Sequence, residues 1–174
     1  MCYNLGMRKR WDVIIDLIRE YDLKVGAEVG VKNGENILHI VRACPDFKIF
    51  GIDCWDPNFK YQAWSKGAQA VHERRFNDIV KQYPERIVKM KGWSLDEVVK
   101  FDDGSLDIVF IDGDHSYEAC LADLRAWLPK VRSGGVICGH DYGHPKIGKV
   151  KKAVDEYFGE VLLGDDFVWV YHKK

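Results

Sequence analysis

The sequence predicts an α/β fold: a mostly parallel sheet with helices on both faces. Three observations carry this. Four apolar runs, at Lys24–Val29, Lys48–Asp53, Leu106–Asp112 and Gly135–Asp141, each carry a polar or acidic residue at or beside their C-terminal end. Stretches with helical apolar spacing separate them. Glycines follow the first run directly, at Gly30 and Gly34. Strands joined in this way place their ends along one sheet edge, where a fold of this class assembles its site.

In chain order, Arg8 to Tyr21 reads as a helix with Val13, Ile14, Leu17, Ile18 and Tyr21 on one stripe. It is a packing element within residues 1–23. Val25, Ala27 and Val29 suit a buried strand, and the helix after Gly34 carries Ile37, Leu38, Val41 and Cys44 on one face. Beyond the Lys48–Asp53 strand, Cys54 to Trp64 is an aromatic loop broken by Pro57, suited to a lid, a substrate wall or an anchored surface loop. Ser65 to Tyr83 is a helix with a charged outer face. Arg86 to Lys91 is a short strand. Ser94 is placed to cap a helix from Leu95 to Lys100, with Glu97 completing a capping box. A strand ending at Asp112 leads to a helix over Tyr117 to Leu128, and Ser133-Gly-Gly forms the connection to the strand ending at His140-Asp141. A helix over Lys149 to Phe158 precedes a hairpin of Glu160–Leu163 and Phe167–His172. The hairpin adds an antiparallel strand to the sheet.

The 174 residues, 47% hydrophobic and 30% charged, fit one globular domain spanning 1–174. A net charge of −1 points away from nucleic-acid and membrane surfaces, and no apolar run is long enough to span a bilayer. The N-terminus lacks the apolar core of a signal peptide. Five scattered cysteines (Cys2, Cys44, Cys54, Cys120 and Cys138) fit reduced thiols in a cytoplasmic chain better than a disulfide framework or a zinc site.

Two constellations carry chemistry. In the first, Glu28, Gly30 and Gly34 shape a strand-to-helix turn, and Asp53 ends the next strand. A carboxylate there accepts hydrogen bonds from ribose hydroxyls. The Gly-x-Gly-x-x-Gly fingerprint of dinucleotide sites is absent, as is a P-loop. A ligand with ribose but no phosphate fits better, with S-adenosylmethionine the leading candidate. The alternative is a glycine turn needed only for backbone geometry. The second constellation joins Asp112, Asp114 and His115 to His140 and Asp141. Asp112 and Asp141 suit a divalent cation, and His115 suits a general base. Its alternative is turn chemistry, with Asp112 capping the next helix. His39 and His72 read as solvated, and His144 as a loop residue.

The runs Ala27-Glu-Val-Gly-Val-Lys-Asn-Gly, Gly51-Ile-Asp53, Gly92-Trp-Ser94, Phe110-Ile-Asp-Gly-Asp-His-Ser-Tyr117 and Gly134-Gly-Val-Ile-Cys-Gly-His-Asp-Tyr142 together resemble the class I S-adenosylmethionine-dependent methyltransferases. Their small-molecule and sugar O-methyltransferase branch, which includes metal-dependent members, is the most similar. The resemblance spans Val25 to Phe158. It implies a Rossmann-like, seven-stranded sheet of order 3-2-1-4-5-7-6 with strand 7 antiparallel. It implies that Glu28, Gly30 and Gly34 hold the methionine part of the cofactor, Asp53 its ribose, and Trp93 and Ser94 its adenine. Asp112 then sits between cofactor and metal, His115 matches the catalytic base, and Asp112, His140 and Asp141 form the metal set, for Mg²⁺ or another divalent cation. The first ligand position after the fifth strand is His140 where relatives usually place oxygen, and nitrogen favours transition metals, which leaves three alternatives: a different metal, a His140 that only orients substrate, or no metal. Relatives carry further segments that enclose substrate, so a shorter chain implies an open site or one completed in a homo-oligomer.

The expected activity is therefore methylation of a hydroxyl on a small molecule or sugar. Two rivals stand beside it. One is a catalytically inactive S-adenosylmethionine-binding module acting as a partner or regulatory subunit. The other is a nicotinamide-dependent oxidoreductase, which the missing fingerprint disfavours.

Overall fold

A computed structural model describes residues 8–58 and 67–174. Part of the Cys54–Trp64 loop, Trp64 included, and the first turn expected for the Ser65 helix lie outside them.

Seven strands form one sheet: β1 (Val25–Val29), β2 (Lys48–Asp53), β3 (Ile87–Lys91), β4 (Leu106–Ile111), β5 (Val131–Gly139), β6 (Leu162–Leu163) and β7 (Trp169–His172). Their order is β3-β2-β1-β4-β5-β7-β6, as the resemblance implies. β7 runs antiparallel to β5 and β6, and the other pairings are parallel. Among the described residues six α-helices surround the sheet: α1 (Arg10–Glu20), α2 (Glu35–Ala43), α3 (Ala68–Gln82), α4 (Ser94–Glu97), α5 (Tyr117–Trp127) and α6 (Lys149–Phe158).

Period-2 alternation divides the strand residues between two cores. Ile108, Phe110, Val136 and Cys138 pack with α1, α2 and α3 residues such as Ile14, Ile18, Ile37 and Phe76. Ala27, Val29, Val109, Ile111 and Ile137 pack with Leu124 and Trp127 of α5 and Val150 and Val154 of α6. Glu28, between Ala27 and Val29, therefore faces the α1–α2 side, where an acid is costly to bury.

Two local expectations in this part of the chain are corrected. Ser94 does not cap a helix: α4 begins at Ser94 itself, with Trp93 in the cap position and no side-chain cap. Its hydroxyl instead donates to Asp123 at 2.5 Å and accepts from the Trp127 indole at 2.8 Å. Ser133-Gly-Gly is not a connection but part of β5. The register jumps between the pairs Leu106↔Val131 and Ile108↔Val136, so a bulge takes up the extra residues, with Gly134 at φ +73°. Trp55 anchors the start of its loop, one of the uses expected for it. It is 1% exposed, stacks on Phe76 at 5.4 Å and donates its indole N–H to the Lys32 carbonyl at 2.7 Å.

The hairpin strands are shorter than the sequence suggests because Asp166 and Phe167 both take positive φ, which breaks the extended run before Trp169. His39 is half-buried and stacks on Trp11 at 4.2 Å, tying α2 to α1, rather than being solvated.

Candidate functional site

The registers bring the strand ends level. Val29 pairs with Ile52 and with Ile111, and Ile111 pairs with Gly139. Asp53, Asp112 and His140-Asp141 thus leave the sheet at one edge. A cavity of about 670 Å³ opens there. It is lined by Glu28, Gly30, Asp53, Trp93, Ser94, Asp112, His115, His140 and Asp141 among others. Every residue singled out from the sequence for a site reaches this cavity except Gly34.

The glycines work through geometry. Gly30 has φ +91°, and an added Cβ there would lie 2.1 Å from the Asp112 carbonyl oxygen. Gly34 has φ +78°, and its Cβ would meet the Phe76 ring at 2.4 Å. Gly34 therefore seats α2 against α3 and acts on the cavity only by placing the turn.

At one end of the cavity, Asp53 accepts from the backbone N–H of Lys32 at 2.8 Å and of Trp55 at 2.9 Å. Burial raises its pKa, and those backbone hydrogen bonds pull part of the rise back. Nearby, Asp123 is 5% exposed and pushed up to about 6 by burial, which the Ser94 hydrogen bond offsets in part. Trp93 is 48% exposed at the rim. In the middle, Glu28 is 2% exposed and accepts from Asn36 Nδ2 at 3.0 Å. Burial pushes Glu28 up to about 8, against the attraction of Arg10.

S-adenosylmethionine fits these residues. The Asn36 Oδ1 atom is buried with no hydrogen-bond partner, on a side chain that lines the cavity beside Glu28. A buried acceptor of this kind calls for a donor, and an ammonium group supplies one. Asp53 retains acceptor capacity for ribose hydroxyls beyond its two backbone bonds.

At the other end lies an acid–imidazole cluster. His115 Nε2 is 2.7 Å from Asp141 Oδ2 and 3.4 Å from Asp112 Oδ1. Burial alone would lower the His115 pKa, but hydrogen bonds to Asp112 and Asp141 and their charges outweigh it and lift it to about 9. Asp141 is buried, which opposes its charge, yet its hydrogen bonds to His115 and His140 hold it well below the usual carboxylate range. Asp141 also sits at φ +61°, a conformation few non-glycine residues adopt. Asp112 caps no helix: Ser116 caps α5, accepting from the Ala119 N–H at 3.3 Å.

Arg10, in the first turn of α1, gave no signal in the sequence. Its guanidinium donates to Asp112 Oδ2 at 3.0 Å and lies 3.4 Å from His140 Nδ1. Asn36 and Asp123 gave no signal either, although Asn36 lies only two residues beyond Gly34.

Among the described residues, the compact set of potential metal donors is Asp112, His115 and Asp141, one atom of each lying within 4.8 Å of the others, with His140 outside it. These groups do not present an open shell. His115 already bridges both carboxylates, Arg10 holds the second Asp112 oxygen, and His140 Nδ1 is shared between Arg10 and Asp141 Oδ1 at 3.3 Å.

A sheet of this order, with a strand-end cavity lined by Asp53, Asp112, His115 and Asp141, is that of a class I methyltransferase. The family model described as "Methyltransferase domain" matches residues 27–142, and the chain belongs to that family as an S-adenosylmethionine-dependent methyltransferase. Among solved structures, the O-methyltransferase NovP is 21% identical, with a TM-score of 0.68, covering 95% of this chain and 79% of its own. An O-methyltransferase from Bacillus cereus in complex with SAH is 14% identical, with a TM-score of 0.68, covering 94% and 80%. The O-methyltransferase TomG from Streptomyces achromogenes, in complex with SAM, is 16% identical, with a TM-score of 0.66, covering 95% and 80%. No curated protein sequence matches. No helix among the described residues is long and apolar enough to cross a membrane.

Proposed function

We propose that this protein transfers the methyl group of S-adenosylmethionine to a hydroxyl of a small molecule or sugar. The observation that carries this reading is the single cavity running from Asp53 to the Asp112–His115–Asp141 cluster. It offers a nucleoside-type acceptor at one end and proton-handling groups at the other. Similar folds in NovP, TomG and CalS11, the last a TDP-rhamnose 3'-O-methyltransferase, support oxygen as the methylated atom.

When bound, S-adenosylmethionine supplies an electrophilic methyl on a cationic sulfur. Asn36 and Glu28 hold its ammonium end, Asp53 its ribose, and Trp93 and Ser94 flank its adenine. Proximity then does most of the work, since aligning two reactants replaces an encounter by a local step. The acceptor hydroxyl sits against Asp112 and His115. Its proton passes to the neutral fraction of His115, whose ring Asp141 keeps oriented through Nε2. The free thiols Cys44, Cys54, Cys120 and Cys138 support a reducing, cytoplasmic setting.

The test is calorimetric titration with S-adenosylhomocysteine, followed by incubation of labelled S-adenosylmethionine with panels of catechols and nucleotide sugars. Saturable binding with label transfer to a hydroxyl supports the reading. Binding without transfer to any acceptor turns the reading toward a cofactor-binding regulatory module, and no binding overturns it.

A further inference from the structure

We infer that the guanidinium of Arg10 is the resident cation of the acceptor site, standing where a divalent metal would otherwise balance Asp112 and Asp141. The inference deepens the methyltransferase reading and rests on it.

Three contacts fix Arg10. Its backbone N–H donates to Asp166 Oδ2 at 3.0 Å, which ties the start of α1 to the β6–β7 turn. Its guanidinium donates to Asp112 Oδ2 at 3.0 Å, with both side chains well covered. The same guanidinium nitrogen lies 3.4 Å from His140 Nδ1. A guanidinium is permanently charged and has donors but no acceptor. It therefore acts as a fixed positive charge in the cavity wall.

Charge balance follows directly. Asp112 and Asp141 face Arg10 and His115, so two anions meet two potential cations within one cluster. The His140 nitrogen that faces both carboxylates is Nδ1, and it lies between Arg10 and Asp141 Oδ1, so that atom is engaged in either tautomer; Nε2 is buried without a hydrogen-bond partner, 3.9 Å from Asp166 Oδ2. A divalent ion bound to Asp112 would sit a few ångströms from the guanidinium, where like charges repel strongly in a partly buried site. It would enter only with Arg10 displaced. The guanidinium takes over one part of a metal's role: it holds Asp112 in one orientation and places positive charge beside the acceptor oxygen. Arg10 is thus a positioning residue.

The position of Arg10 makes the consequence testable without knowing the acceptor. The probes are Mn²⁺ and Mg²⁺ alone, titrated into chelated protein by calorimetry and, for Mn²⁺, by electron paramagnetic resonance. The wild type and Arg10→Lys are expected to bind neither ion at millimolar concentration. Arg10→Gln, which removes the charge but keeps much of the side chain, is expected to gain one Mn²⁺ site, and Arg10→Gln with Asp112→Asn is expected to lose it again. S-adenosylhomocysteine titration of each variant reports folding and tests the broader reading separately. Stoichiometric Mn²⁺ binding by the wild type would overturn the inference, as would failure of folded Arg10→Gln to gain a site.

Discussion

Gly30 and Asp112 meet backbone to backbone across the end of the sheet. A Cβ on Gly30 would lie 2.1 Å from the Asp112 carbonyl oxygen and 2.7 Å from the Gly113 nitrogen. The glycine turn after β1 and the residue that follows β4 are therefore one packed unit. Gly30→Ala should cost more than left-handed strain alone, because backbone atoms cannot move aside as a flexible side chain can. Gly143 is the control, since it has φ +73° with open space around it. We expect Gly143→Ala to lose about 1 kcal/mol in urea unfolding, the usual scale of that strain. Gly30→Ala should lose clearly more and weaken S-adenosylhomocysteine binding as well. Equal losses in the two variants would remove the coupling between the turn and Asp112.

Asp53 has two tasks that can be separated. Its carboxylate anchors the N–H groups of Lys32 and Trp55, and it lines the cavity. Asp53→Asn keeps one acceptor for the turn but removes the charge. A hydrogen bond to a charged group contributes about 1.5–3 kcal/mol, so affinity for S-adenosylhomocysteine should fall roughly 10- to 100-fold. The melting temperature should change little by comparison with Asp53→Ala. Unchanged affinity in calorimetry would sink the ribose assignment.

The His115–Asp141 pair sets a pH window. The folded pKa of His115 is near 9, above the ordinary imidazole value of 6.5. A group raised in this way stabilises the fold fully below about pH 6.5, and that contribution is lost as pH climbs through about 9. Asp141 has the opposite sign: its depressed pKa adds stability above the ordinary carboxylate range and loses it in acid. The difference in unfolding free energy between wild type and His115→Gln should therefore shrink across the neutral-to-alkaline range. A difference that stays constant with pH would mean that the imidazole is not charged in the fold. Turnover has the complementary shape, since only neutral His115 takes a proton: it should rise with pH toward about 9.

The sheet was legible because each strand carries its own signal. Val25–Val29, Lys48–Asp53 and Leu106–Ile111 are apolar runs ended by an acid or a glycine, and that pattern arises from residues adjacent in sequence. Where the reading failed, the deciding partner was distant. Ser94 looks like a cap when only Glu97 is considered, but it serves Asp123 and Trp127, 29 and 33 residues away. Trp55 leaves lid, wall and anchor open in the sequence, and only Phe76 and the Lys32 carbonyl make it an anchor. Arg10 lies 102 residues from Asp112, in a charged stretch whose spacing marks only a packing helix. His115 and Asp141 could be named, because strand ends of a parallel sheet converge whatever the side chains. The cation beside them could not, because it arrives from a helix outside the repeating strand–helix pattern.

Glu28 offers a further test of how the cavity is built. It is 2% exposed, bonded to Asn36 Nδ2 at 3.0 Å, and raised from 4.5 to about 8, first by burial and further by the charges of Asp112 and Asp53, with Arg10 and Asn36 opposing. In the unfolded chain the acid ionises above about 4.5, while in the fold it keeps its proton to about 8. The unfolded state thus releases its proton first, and the fold loses stability as pH rises between those values. At about 1.4 kcal/mol per pKa unit the loss amounts to a few kcal/mol by pH 8, on an order-of-magnitude scale. Glu28→Gln keeps the shape and an oxygen for Asn36 but cannot ionise. It should match the wild type near pH 4.5 and be more stable than it at pH 8, with a visibly higher melting temperature there. The same variant should bind S-adenosylhomocysteine less tightly at pH 8, because the ammonium end of the ligand draws the Glu28 proton off and gains a carboxylate that glutamine cannot supply. Parallel melting curves for the two proteins across this range would show that Glu28 is ionised throughout, held by Arg10 rather than neutralised by burial.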